Sequence, residues 1–108
     1  MTMTPDGLAD LGRFSEPALL ILISLSDGPK HGYAMTRDIA GLSGQRLGPG
    51  TLYGAITRLE ERGWIEPLPA EDRRRPYRLT RGGQRVLRAR LQQMRSVARI
   101  GHARLASG

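Results

Sequence analysis

The residues of this 108-residue chain predict a mainly α protein with one small β-hairpin, and three patterns carry that expectation. Apolar positions recur at three- and four-residue spacing through most of the chain. After Gly63 that period gives way to two short extended runs limited by Pro67 and Pro76. From Arg81 onward a single seven-residue period runs nearly to the C-terminus. With 39% hydrophobic residues the chain makes one domain, and a domain this short gains from a partner subunit.

Taken in order, residues 1–14 are mixed and Gly-punctuated with no sustained period, and they predict an arm with a short helical turn at Leu8 to Leu11. Phe14, the sole Phe, favours packing at the end of that arm. The first firm helix is expected from Ser15 to Ser26. Ser15 serves as its cap, Glu16 suits the positive end of the dipole, and Pro17 lacks only an N–H with no helical partner. The run Ala18 to Leu25 is apolar nearly all round, which places this helix at the centre of the core, and Asp27-Gly28-Pro29 ends it. A second helix from His31 to Leu42 has an inner face of Tyr33, Met35, Ile39 and Leu42 and an outer one of Lys30, Arg37 and Asp38.

A short Gly-rich loop leads to a third helix spanning residues 50–62, which begins after Pro49 and stops at Gly63. Leu52, Ala55, Ile56 and Leu59 form its apolar stripe. The opposite ridge carries Gly50, Gly54, Thr57 and Glu61, with Thr51 and Arg58 on one flank and Tyr53 on the other. An ordinary surface helix is denser in charge than this. Two short helices, the second with a bare outer face, are the layout of a helix-turn-helix.

The extended runs Trp64 to Leu68 and Pro76 to Thr80 predict a two-stranded ribbon whose tip holds Arg73, Arg74 and Arg75, the position and charge of a wing. Ile65 and Leu79 face inward, and Arg78 faces the other way. Thr80 then caps a long helix running from Arg81 towards Ala106. On it Leu87, Leu91, Met94, Ala98 and Leu105 make a heptad seam that nothing else in the chain is long enough to cover, so it predicts a dimer contact. The architecture is therefore a winged helix-turn-helix followed by a dimerisation helix. Its expected divisions are an arm at 1–14, a DNA-binding unit at 15–80 and a dimerisation helix at 81–108.

Charge indicates the partner. The chain carries 17 Lys+Arg against 10 Asp+Glu, a net charge of +7. Residues 1–72 hold every acid and 6 cations, whereas residues 73–108 hold 11 Arg and no acid. Codon bias explains Arg in place of Lys but not the missing acids, so a polyanion partner is the stronger reading. There is no Cys, which excludes disulfides, thiolate metal sites and Cys nucleophiles. Two His, at 31 and 102, make no convincing metal site. No paired-carboxylate or nucleophile–base arrangement stands out, so neither an enzyme nor a cofactor is expected. The longest apolar run, Ala18 to Ile23, is too short to span a bilayer and lacks a signal peptide's flanks, so the expected location is the cytoplasm with no membrane partner.

These residues also resemble a family. His31-Gly32-Tyr33, Gly50-Thr51-Leu52-Tyr53, Arg58-Leu59-Glu60-Glu61-Arg62-Gly63 with Ile65, and Tyr77-Arg78-Leu79-Thr80 with Gly82 or Gly83, in this order, look like the PadR family of bacterial transcriptional regulators, over about residues 15–83. The short C-terminal region is similar to the compact subgroup, whose single long helix forms the dimer. The resemblance implies a homodimeric winged helix-turn-helix repressor relieved by a small-molecule or stress signal. Two positions depart: Gly54 stands where the family often has Pro, and Thr57 where it often has Lys. That leaves more of the affinity to Arg58 and the wing.

The candidate DNA contacts are His31 and Tyr33 at the mouth of the second helix, Thr51, Tyr53, Gly54, Thr57 and Arg58 on the third, and Arg73, Arg74 and Arg75 on the wing. The expected target is double-stranded DNA with an inverted-repeat operator, whose half-sites lie roughly 34 Å apart. Each residue also has a plainer role: Tyr53 a packing residue, His31 a helix-start residue, Trp64 a wing-root anchor, the three Arg a solvated tip. Two rival functions remain, a winged-helix adaptor that binds a protein and a bare ligand-binding dimer. Residues 82–108 contain no Phe, Trp or Tyr, so an aromatic effector pocket there has to borrow Trp64, Phe14 or Tyr33.

Overall fold

The computed structural model describes residues 7–108, and the part of the expected arm at residues 1–6 lies outside them. A 3-10 helix, Gly7–Phe14, leads directly into α1, Ser15–Leu25. Ser15 does not cap α1, because the preceding turn already runs into it; Phe14 takes the cap position and no side chain accepts there. The 3-10 segment does not stand off as an arm. Leu8 and Leu11 are buried in the main core, and Gly7 lies against the Trp64 ring so closely that a Cβ would sit 2.9 Å from it.

The apolar-all-round α1 is the hub. Ala18, Leu19, Leu20, Ile21, Leu22, Ser24 and Leu25 are all buried, and the helix packs against the 3-10 segment, α2 (Gly32–Ser43), α3 (Pro49–Glu61) and α4 (Arg81–Ser107). From α2 the core takes Met35 and Ile39, fully buried. Tyr33 and Leu42, expected on the same face, are 65% and 45% exposed: Tyr33 is set off from Met35 around the helix, and Leu42 lies at the end that outruns the core. From α3 come Leu52, Ala55, Ile56 and Leu59, the stripe the 3.6-residue period predicts. Gly63, at φ 74°, makes the left-handed turn that releases the chain from α3.

Among the described residues three strands, not two, make the sheet. β1 (Lys30–His31), β2 (Ile65–Pro67) and β3 (Pro76–Leu79) are antiparallel in the order β1-β3-β2, with Ile65 opposite Leu79, Glu66 opposite Arg78, and His31 opposite Pro76. A two-residue strand has no alternation to read, which is why β1 is silent in the sequence. Arg78 and Glu66, on the outer face as alternation requires, form an ion pair. The hairpin tip is tighter than a three-Arg loop. Glu71 and Arg74 exchange both backbone hydrogen bonds at 2.7 Å, and Asp72 and Arg73 sit between them at φ 48° and 68°. Positive φ at both central residues is the two-residue turn whose twist suits a hairpin.

Thr80 joins wing to long helix. Its hydroxyl donates to the Gly63 carbonyl at 2.7 Å and accepts from the Gly83 N–H at 3.0 Å, which caps α4. Of the 27 residues of α4 only Gly83 and Leu87 are buried. Leu91, Met94, Val97, Ile100 and Leu105 are all more than 40% exposed, and Ala98 is exposed with them. No helix among the described residues is long and apolar enough to cross a membrane.

Candidate nucleic-acid interface

Three segments meet at the mouth of α2. β1 delivers His31 in an extended conformation, φ −86° and ψ 170°, as the N-cap of α2. Its Nδ1 accepts from the Ala34 N–H at 3.4 Å, and its Nε2 lies 3.3 Å from a guanidinium nitrogen of Arg74, carried there by the hairpin. An imidazole that accepts at Nδ1 holds its proton at Nε2. In that tautomer the Nε2–H and the Arg74 guanidinium are both donors, which an acceptor bridging them satisfies; in the other tautomer Nε2 accepts from Arg74 directly. The first-turn N–H groups of α2 and its dipole favour a negative acceptor at the same spot.

α3 supplies the other wall. Tyr53, 49% exposed, lays its hydroxyl over Gly32, where a Cβ would sit 2.1 Å from the oxygen, and this contact accounts for the Gly of the His31-Gly32-Tyr33 run. His31, Tyr33, Tyr53, Arg73, Arg74 and Arg75 line one open cleft of about 270 Å³. An adjoining cleft of about 510 Å³ runs from His31 and Arg74 along α2 past Tyr33, Arg37 and Asp38. Asp38 is tied inward by the buried Ser24 hydroxyl at 2.7 Å, so the cationic groups dominate that opening. Burial, and then the charge of Glu60, raise the Tyr77 pKa above its usual 10.0.

The three wing arginines have different settings. Arg73, in the turn, has no hydrogen-bond or ion-pair partner among the described residues, and Arg75 is folded back to the Leu68 carbonyl at 2.7 Å. Arg74 lies beside His31, a guanidinium nitrogen 3.3 Å from its Nε2. Along α3, Thr51, Thr57 and Arg58 are exposed but lie outside both clefts. The Thr57 hydroxyl donates to the Tyr53 carbonyl at 2.9 Å, which leaves its lone pairs facing out.

Two expected site residues need correction. Gly54 presents only part of its backbone to solvent: a Cβ there would lie 2.8 Å from the Phe14 ring, so the missing side chain makes room for a neighbour from residues 7–14. Leu87 is not part of an open seam. It is 6% exposed and belongs to the chain's own core, because the first turns of α4 lie over α1. Arg37, stacked 5.9 Å from the Tyr33 ring centroid, and Arg46, beside Leu47 and Tyr53, join the surface although neither was singled out. For Arg37 the signal was its place four residues after Tyr33 on one helix face. Among the described residues no group of three or more His, Asp or Glu is placed to hold a metal ion.

Comparison with known proteins agrees with this fold. The model of the transcriptional regulator PadR-like family matches residues 21–89. An uncharacterized 37.1 kDa protein in transposon TN4556 of Streptomyces fradiae is 43% identical over 88 residues, which are 82% of this chain and 25% of that protein. The chain thus spans about a quarter of the length of that relative. Among solved structures, a PadR family transcription regulator from Clostridium difficile R20291 superposes with a TM-score of 0.75 at 24% identity, covering 82% of this chain and 97% of that one. A transcriptional regulator from Clostridium thermocellum gives 0.71 at 24% identity, covering 87% and 96%. At such identities these two speak for the fold.

Proposed function

The chain belongs to the transcriptional regulator PadR-like family, and from that premise we propose that it acts in the cytoplasm as a homodimeric repressor that grips an inverted-repeat operator. Residues 15–80 form the DNA-binding unit and residues 81–108 the dimerisation helix. The observation that carries this reading is the convergence of His31, Tyr53 and Arg74 on one cleft at the N-terminus of α2, a set of donors that a phosphate oxygen completes. Around it Tyr33, Arg73 and Arg75 hold the backbone, while Thr51, Thr57 and Arg58 of α3 approach base edges.

Two copies paired through Leu91, Met94, Ala98 and Leu105, with Val97 and Ile100 widening the seam, set two α3 helices roughly 34 Å apart in successive major grooves. A ligand or stress signal that alters the angle between the two α4 helices changes that separation and releases the DNA.

The test is a salt titration of binding to the duplex upstream of its own gene, beside a scrambled duplex of equal length. The expected result is a preference of about a thousandfold with a steep salt slope. Equal weak binding to that duplex, to the scrambled one and to every duplex drawn from a random library overturns the reading in favour of a protein-binding adaptor.

A further inference from the structure

Resting on the DNA-binding reading, we propose that the segment before α1 is part of the nucleic-acid interface: Phe14 is a positioning residue for Arg58, and Arg13, stacked on the same ring, supplies a further phosphate contact. The Arg58 carbon lies 5.0 Å from the Phe14 centroid and the Arg13 carbon 5.1 Å from it. Neither guanidinium has a hydrogen-bond or ion-pair partner among the described residues. A guanidinium held over a ring face by charge uses none of its N–H donors on the ring, so both stay competent to meet phosphate or a base edge.

The ring is well placed to hold them. Its inner edge fills the slot that Gly54 leaves on α3, with ring carbons 2.8 and 3.1 Å from where a Cβ would be. The segment that carries it is anchored by buried Leu8 and Leu11 and by Gly7 against Trp64. Gly12, at φ 58° and ψ −125°, breaks the helical path between Leu11 and Arg13. Arg58 would otherwise lose most of its rotamer freedom on binding; stacked in advance, it loses less. The aromatic contact thus prepays an ordering cost, and it does so from a segment about forty residues away in the chain.

The experiment uses the full-length chain and a duplex enriched by the wild-type protein from a random-sequence library, beside its scrambled counterpart. Phe14→Leu and Phe14→Met both fill the slot against Gly54 but offer no ring face. Each should lower the preference for the enriched duplex about two- to fivefold, the worth of an exposed cation–π contact. Neither should have a further effect in an Arg58→Ala background. Tyr is unsuitable as a conservative control, because its hydroxyl would project from the ring carbon that abuts Gly54. Arg13→Ala, at an exposed position that does not threaten folding, should weaken binding to both duplexes alike and reduce the salt slope by about one.

Equal losses for Phe14→Leu with and without Arg58 would show that Phe14 acts only through packing. An unchanged salt slope for Arg13→Ala would remove Arg13 from the interface. Either result overturns the inference while wild-type preference for the enriched duplex stands; if the wild type enriches no duplex at all, the DNA-binding reading itself has failed, and the inference falls with it.

Discussion

Leu87→Ala separates what α4 does for its own domain from the partner contact proposed for it. Leu87 is 6% exposed and, with Gly83, is one of two buried residues by which a 27-residue helix is held to the core. Its truncation removes a buried isobutyl group at a point where α1 and α4 cannot readily close the gap, which costs about 3 kcal/mol. For a domain of about this size each kcal/mol is roughly 4–8 °C, so the melting temperature should fall by about 15 °C. Leu91, four residues on, is 41% exposed in the single chain. Leu91→Ala should leave the isolated subunit's packing alone and weaken self-association at least about tenfold, since each of two copies loses an apolar side chain from the seam. Thermal unfolding followed by circular dichroism reads the first effect, and sedimentation equilibrium under native conditions reads the second. If Leu87→Ala raises the dimer dissociation constant and leaves the subunit's stability intact, the assignment of Leu87 to the domain core is wrong and the seam begins a turn earlier.

Other substitutions follow from individual contacts. Gly32→Ala puts a methyl group 2.1 Å from the Tyr53 hydroxyl, and a half-exposed ring can swing away, so the melting temperature should hold within a few degrees while operator affinity drops about tenfold, the worth of one hydrogen bond; unchanged affinity removes Tyr53 from the interface. Gly83→Ala meets the Trp64 carbonyl at 2.0 Å, backbone that cannot move aside, and should cost about 3 kcal/mol or more, whereas Gly101→Ala, with nothing within 4 Å, should gain up to about 1 kcal/mol. Equal urea midpoints for the two variants would refute that contrast. In the proposed dimer the seven Arg and no acid of each α4 repel one another, so raising salt from about 0.05 to 0.5 M should tighten self-association while it loosens DNA, and parallel weakening of both contradicts the seam. The Asp27 carboxyl is held below its usual 3.8 by the Lys30 hydrogen bond and then by its charge. A depressed folded pKa contributes stability above the unfolded value and loses it as pH falls through the folded one. The urea midpoints of Asp27→Asn and wild type should therefore differ at pH 6 and converge towards pH 2, and a gap that stays constant with pH rules out this origin.

The parts of this protein legible in its residues are those decided by near neighbours along the chain. The α3 stripe of Leu52, Ala55, Ile56 and Leu59, the stop at Gly63 and the cap at Thr80 all depend on helical period or on hydrogen bonds between residues a few positions apart. The all-round apolar run of α1 marked a central helix for the same reason, and the order of short motifs was enough to indicate the PadR-like family. What the tertiary structure alone decided is every contact between residues distant in sequence. β1 exists because Lys30 and His31 fall beside β3, and two residues cannot display a period of their own. Arg74 reaches His31 across 43 positions, and the cluster at the mouth of α2 exists only once the wing has folded back. Leu87 reads like the rest of its heptad, because a helical wheel records which side a residue faces and not how far the neighbouring helix extends. Gly54 reads as a bare surface until Phe14 occupies it, since the absence of a side chain makes room equally for DNA or for a ring, and only the path of the preceding segment settles which one comes.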